Sequence, residues 1–157
     1  MPAAVIGQPR NYFAKFKFIV EIDGFTSSSW QTCSELAAEL ATIEQWEGGA
    51  IVADKSPGRV KVSDITLERG ATQDLDCWKW FKEAADMAAN GGQVSPKYKR
   101  TLHIVAQDRD GSTLRRWRVV EAFPNQFVAG EWDNTADANV MEKLRIACKF
   151  FEPVDDQ

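Results

Sequence analysis

Period two restricts the fold of this chain more than any other feature. Ala14, Phe16, Phe18, Val20 and Ile22 fall on one side of an extended backbone. Lys15, Lys17, Glu21 and Asp23 fall on the other, until Asp23-Gly24 signals a turn. The alternation returns at Leu102, Ile104 and Ala106, reverses through Asp108-Arg109-Asp110-Gly111, and comes back over Leu114 to Val120, the pattern of a hairpin with a slightly long loop. It appears again from Val140 to Phe151, with Val140, Leu144, Ile146, Cys148 and Phe150 inward and Lys143, Arg145 and Lys149 outward. Glu142 breaks that apolar row near its start. A slip of one residue would turn each row to solvent, so such strands require sheets with one face on a core.

The intervening segments are less regular. Trp30, Cys33, Leu36, Ala38, Leu40, Ile43 and Trp46 read as an extended stretch. Glu47 to Arg59, with Gly48-Gly49 and Pro57-Gly58, reads as a long loop. Val60 and Val62 share a face, but Ile65 and Leu67 take the opposite parity, which a β-bulge near Ser63-Asp64 would explain. Thr72 is positioned to cap a helix running to Asn90, with Asp74 and Asp76 in its first turn and Gly91-Gly92 past its end. Leu75, Trp78, Phe81, Ala85 and Ala88 follow the spacing of a core-facing stripe. Trp80, Ala84 and Met87 form a second stripe on another side of the helix and ask for another partner. Residues 122 to 139 read mostly as loop, and residues 1 to 11 as a flexible N-terminal arm. The expected fold is mainly β with one α-helix (Thr72 to Asn90) outside a sandwich or barrel of antiparallel strands.

Composition bounds the chemistry. A net charge of −4 argues against global attraction to nucleic acid or an anionic membrane. No apolar run approaches the roughly 20 residues of a spanning helix, and the start lacks the pattern of a signal peptide, so synthesis in the cytoplasm is expected. Cys33, Cys77 and Cys148 are far apart and odd in number, and they read as small apolar residues rather than a disulfide or zinc framework. His103 is the only histidine and alternates on a strand, without a nucleophile in an elbow-like turn to serve. Asp108, Asp110 and Gly111 lack the ligand register of a calcium loop. Lys97, Lys99 and Arg100 face Arg115, Arg116 and Arg118 across the expected hairpin, either as a strip for an acidic neighbour or as a solvated strand face. No catalytic, cofactor or metal constellation emerges. Six tryptophans in a chain of 157 residues point instead to a thick core or a sticky surface.

Three stretches, taken in order, carry a resemblance. Phe16 to Glu21, Asp23-Gly24 and Ser34-Glu35-Leu36 open it. Trp46-Glu47-Gly48-Gly49, Ser56-Pro57-Gly58-Arg59 and Ile65 to Thr72 follow, ahead of the aromatic helix. Arg116-Trp117-Arg118, Ala122-Phe123-Pro124, Gly130 and Ala136 to Leu144 complete it. In this order and spacing the chain resembles the inner tube proteins of contractile phage tails and related contractile injection systems.

The resemblance implies a single tail-tube domain over residues 1–157, built of two antiparallel sheets in a barrel-like sandwich with one helix. It implies hexameric rings of copies of itself, stacked into a hollow tube inside a contractile sheath and expelled on contraction to deliver cargo or DNA. The implied partners are sheath, baseplate or spike and terminator proteins, with no stable membrane insertion and no cofactor. Glu47, Gly48, Gly49, Lys55, Pro57, Gly58 and Arg59 would form the inter-subunit and ring-stacking segment. Trp80, Ala84 and Met87 would form a lateral or sheath-facing patch. A baseplate-proximal tube initiator is a close alternative within the family. Outside it, the main rival is a monomeric ligand-binding β-barrel.

Overall fold

The computed structural model describes residues 12–25, 29–89 and 98–155. The expected arm at 1–11, the helix stop at Gly91-Gly92 and Lys97 lie outside the described residues. Strand β1 (Phe18–Ile22) pairs antiparallel with β6 (Arg100–Gln107), which pairs with the long β7 (Thr113–Val128). β8 (Met141–Ala147) joins β7 to β5 (Ile65–Gly70), and β5 carries the two-residue β2 (Thr32–Cys33). β9 (Phe150–Val154) also pairs with β7. The described seven-stranded sheet therefore runs β1-β6-β7-β8-β5-β2, open at both ends and not closed into a barrel. A separate two-stranded sheet is made by β3 (Ala38–Gln45) and β4 (Asp54–Val62).

β7 makes one sheet serve as two layers. Its first half pairs β6 on one side and β9 on the other, and its second half pairs β8. Between them, β7 advances from Val119 to Ala122 while β6 moves only from Leu102 to Arg100, so β7 carries an extra residue. Glu121 sits there with φ at 50°, a left-handed conformation unusual for a residue with a side chain. The bulge flips the inward phase, so Val119 and Ala122 are both buried. The expected last strand bends at the same corner, where β8 gives way to β9 and the Lys149 amide donates to the Val120 carbonyl. Phe150, expected inward, is exposed as a result, while Phe151 packs on the core. Pro124, expected in a loop, instead lies in β7 opposite Ile146.

The core lies between these layers and the helix α1 (Asp76–Ala89). It joins Val20 and Ile22, Ile65 and Leu67, Leu102, Val119, Leu144 and Ile146 to Trp30, Cys77 and Trp80. Phe16 lies before β1 and is exposed, so the first apolar row is buried only from Phe18 onward. The helix starts later than Thr72. The Asp74 carboxylate accepts the Asp76 amide at 3.1 Å, and the Thr72 hydroxyl accepts the Asp74 amide at 3.3 Å, so Asp74 takes the capping role. Ser63-Asp64 is not a bulge in one strand: the chain leaves the small sheet at Val62 and joins the large one at Ile65.

Glu142, which interrupts an apolar row, is buried beside buried Arg69. Arg69 Nε donates to Glu142 Oε2 at 3.1 Å, its Nη2 donates to the Asp74 carbonyl at 3.5 Å, and its guanidinium lies 5.0 Å from the Trp30 ring centroid. One cation thus ties β5, β8 and the helix start together. Removing one partner strands a buried charge, which costs about 3–5 kcal/mol, whereas replacing both with apolar residues of similar volume is often neutral. Urea denaturation of Glu142→Leu should show a loss of that size, and Arg69→Met with Glu142→Leu should recover most of it.

Candidate assembly surfaces

Among the described residues, the β3–β4 hairpin contributes no side chain to the buried core. All eight residues of β3 are exposed, and β4 is nearly so. Among the described residues, no strand lies beside either outer edge of the ribbon. Isolated two-stranded hairpins are marginal in water, and long exposed edges invite pairing with another chain. The register places Ala38 opposite Val62 and Leu40 opposite Val60, an apolar patch on one face at the root. At the tip, Trp46 is 64% exposed, Ile51 93% and Val52 77%.

The expected loop from Glu47 to Arg59 is therefore shorter than the sequence implied. Glu47, Gly48 and Gly49 lie in the turn, where Gly49 takes φ 85° and the Ala50 amide donates to the Glu47 carbonyl. Lys55, Pro57, Gly58 and Arg59 belong to β4 instead. Pro57 stands opposite Thr42, next to a register shift that sets Gly58 and Arg59 against Ala41. A proline is accommodated in a strand at such an edge or bulge, so the Pro-Gly pair that reads as a turn here shapes an edge strand. A Cβ on Gly58 would stand 3.1 Å from the Ala41 carbonyl and 3.2 Å from its Cβ, so the two strands approach closely there.

On the helix the two stripes exchange roles. Trp80 is fully buried, not outward. Its indole donates to the Tyr98 carbonyl at 2.6 Å, Phe25 meets it edge-on at 5.7 Å, and the Arg100 guanidinium lies 5.5 Å from its centroid. Arg100 is held in turn by Glu83 at 3.2 Å and the Asp23 carbonyl at 2.9 Å. Ala84 is half-buried on the same side, and the side chain of Met87 lies outside the described residues. The exposed aromatic is Trp78, at 45%, beside Leu75 at 55%. Trp78 and Phe81 rest on Phe127 of β7 at 5.9 and 6.3 Å, a half-covered aromatic ledge. Cys77, Trp80, Phe81 and Ala84 also obey the i, i+3, i+4, i+7 spacing, but with a tryptophan on each side the pattern alone does not choose between them.

The expected basic strip is largely engaged within the chain. Arg116 pairs with Glu21 at 2.9 Å, Arg118 pairs with Glu152, and Arg115 covers Phe13 and Trp117. His103 stands in register between Glu21 and Arg118 on the sheet. The Asp108–Gly111 turn closes on itself, with the Asp110 carboxylate accepting from the Ser112 amide and hydroxyl. Burial pushes the Cys77 thiol up to about 12 and Cys33 to about 11, and raises Cys148, so these sulfurs behave as apolar packing atoms at neutral pH. Among the described residues no group of three or more metal-ligating side chains is gathered. No helix among them is long and apolar enough to cross a membrane.

The body is a bent antiparallel sheet around one core, and the β3–β4 pair forms a separate, exposed sheet beside it. The chain belongs to the family of T4-like virus tail tube protein gp19, which it matches over residues 14–152. It is a structural tail tube subunit of a phage tail or contractile injection system, and the family is not a catalytic one. Solved structures share the fold. A chain of the anti-feeding prophage cap (AFP tube terminating cap) is 20% identical with a TM-score of 0.78, covering 99% of this chain and 97% of that one. A chain of the PVC extracellular contractile injection system sheath-tube complex in the extended state is 21% identical with a TM-score of 0.74, covering 95% and 93%. Hcp1 from Flavobacterium johnsoniae is 14% identical with a TM-score of 0.55, covering 88% and 94%. No curated protein matches the sequence significantly.

The reversed helix faces have a measurable consequence. Trp80→Ala should cost about 3–5 kcal/mol of folding stability, as core truncations of this size do. Trp78→Ala should cost about 1.5 kcal/mol or less, the worth of an exposed aromatic contact. Chemical denaturation of the two variants side by side checks the order.

Proposed function

We infer that copies of this chain form hexameric rings that stack into the hollow inner tube of a contractile particle. The whole chain, 1–157, acts as one tube unit. The observation that carries this reading is the β3–β4 hairpin, ordered yet unsupported by the body, with unpaired edges and apolar residues in solvent. Six-fold closure removes such edges by giving each the edge of a neighbour. The turn with Glu47, Gly48 and Gly49 and the β4 residues Lys55, Pro57, Gly58 and Arg59 are the segment that reaches the adjacent subunit or ring. On the outside, the ledge of Leu75, Trp78 and Phe81, not Trp80, Ala84 and Met87, is the lateral or sheath-facing patch.

Fold-level similarity to chains in sheath-tube and tube-terminator structures supports sheath, baseplate or spike and terminator proteins as the further partners. The subunit is made in the bacterial cytoplasm and ends in the particle, where cargo or DNA passes through the lumen as the tube is driven out. A monomeric ligand-binding barrel finds no support in a sheet that is open at both ends.

Negative-stain electron microscopy across a concentration series tests the reading. Rings and short tubes should appear for the full chain. A variant with residues 46–53 replaced by a tight two-residue turn should keep its circular dichroism and lose stacking. A full chain that stays monomeric at every concentration, or a shortened one that stacks as well, would overturn it.

A further inference from the structure

The charges on the β3–β4 ribbon are sorted by strand. β3 carries Glu39 and Glu44, while β4 carries Lys55, Arg59 and Lys61, with Asp54 at its far end opposite Gln45. The register sets Glu39 opposite Lys61 and Glu44 opposite Lys55. Opposed side chains share a face, so each face holds an acid on the β3 side and a base on the β4 side. Comparable cross-strand pairs on the body close: Glu68 reaches Lys143 at 3.6 Å, and Arg118 reaches Glu152. Among the described residues, none of Glu39, Glu44, Lys55, Arg59 or Lys61 has an ion-pair partner within 4.0 Å. The ribbon thus presents one acidic edge and one basic edge, both without a strand beside them.

We propose that this sorting selects the neighbour: the acidic β3 edge of one copy pairs antiparallel with the basic β4 edge of a second copy. The proposal rests on the ring-forming reading above and names the edge contact within it. Side by side and near level, Glu39 and Glu44 of one copy meet Lys61 and Lys55 of the next, each on its own face. Two β3 edges would bring only acids to the seam, and two β4 edges mostly bases, so neither offers the opposite-charge cross-strand pairs that β3 against β4 supplies. Self-complementary pairing about a two-fold axis is therefore disfavoured, and head-to-tail pairing, the kind that closes into rings, is favoured. Charge complementarity of this sort sets partner choice more than it sets total affinity.

The test uses the full chain in two charge-reversed forms. Glu39→Lys with Glu44→Lys makes both edges basic, and Lys55→Glu, Arg59→Glu and Lys61→Glu makes both edges acidic. Each alone should need about tenfold or more protein than the wild type to form rings, read by light scattering and electron microscopy, with the gap narrowing near 1 M salt. Each also creates like-charge neighbours within its own hairpin, so a defect alone does not separate folding from pairing. Mixing the two at equal concentration does, because the internal repulsion persists while the edges between copies become complementary. Rings from the mixture at near wild-type concentration are the expected result. Wild-type rings together with unimpaired single forms, or with a mixture no better than its parts, would overturn the edge assignment alone. A wild type that forms no rings would overturn the ring-forming reading, and this proposal with it.

Discussion

The bend in β7 is the constraint on which the rest of the structure depends. One strand of 16 residues supplies ladder partners to three others, and its two halves sit in different layers. Turning the corner needs an extra residue, and Glu121 absorbs it in a left-handed conformation that costs of order 1–2 kcal/mol in a residue other than glycine. The opposite strand bends at the same level, between β8 and β9, and Lys149 approaches Glu121 at 3.8 Å. Both layers then face one core, and the helix closes it with Cys77 and Trp80, while Phe81 and Trp78 rest on Phe127 of the same strand at its margin. Sheets that meet through strands switching layers at a bulge solve the edge problem along that corner without a separate loop.

Two polar groups sit where apolar ones would be simpler. Arg69 and Glu142 face each other across β5 and β8, and Asp74 brings the helix start to the same guanidinium. A buried pair of this kind is weak evidence for stability, since desolvation offsets much of its attraction. Its effect is to fix register: sliding β5 against β8 would strand both charges. The Trp80 indole acts similarly for the helix, since its hydrogen bond to Tyr98 and the stack under Arg100 permit one rotation of the helix and not its neighbours.

Much of the body was legible because its strands are half-buried. Val20 and Ile22, Leu102, Leu144 and Ile146 are buried as their alternation implies. Parity at corners and residues with two uses are not legible in a local pattern. Phe150 kept the alternation in sequence but lost it in space, because the strand turns at Lys149. The bond between Arg69 and Glu142 spans 73 residues, and no local pattern announces such a partner. Trp78 and Trp80 both continue a helical stripe, and only Tyr98, Phe25 and Arg100, brought in from elsewhere, decide which ring goes inside. Pro57-Gly58 carries every mark of a turn, yet the structure places it in an edge strand that has no second neighbour to ask for its missing amide.

The place of Pro57-Gly58 in an edge strand goes with a division of labour in the molecule. The body satisfies its own strands, so its stability is settled within one chain. The hairpin leaves much of itself unsatisfied: Leu40, Ile43 and Val60 stay about half exposed, its strand lysines and glutamates have no ion pair among the described residues, and neither outer edge has a described strand beside it. Such a ribbon would be a general hazard if it were flat, uniform and uncharged, because any exposed strand would then fit it. Pro57 removes one donor, the bulge at Gly58 and Arg59 bends the edge, and the segregated charges reject a like edge. Each of these weakens non-specific edge pairing. Substitutions at exposed hairpin positions that add neither a like-charge neighbour nor a clash such as a Cβ at Gly58 should be nearly silent in the stability of the isolated subunit, because the body's core does not rest on them.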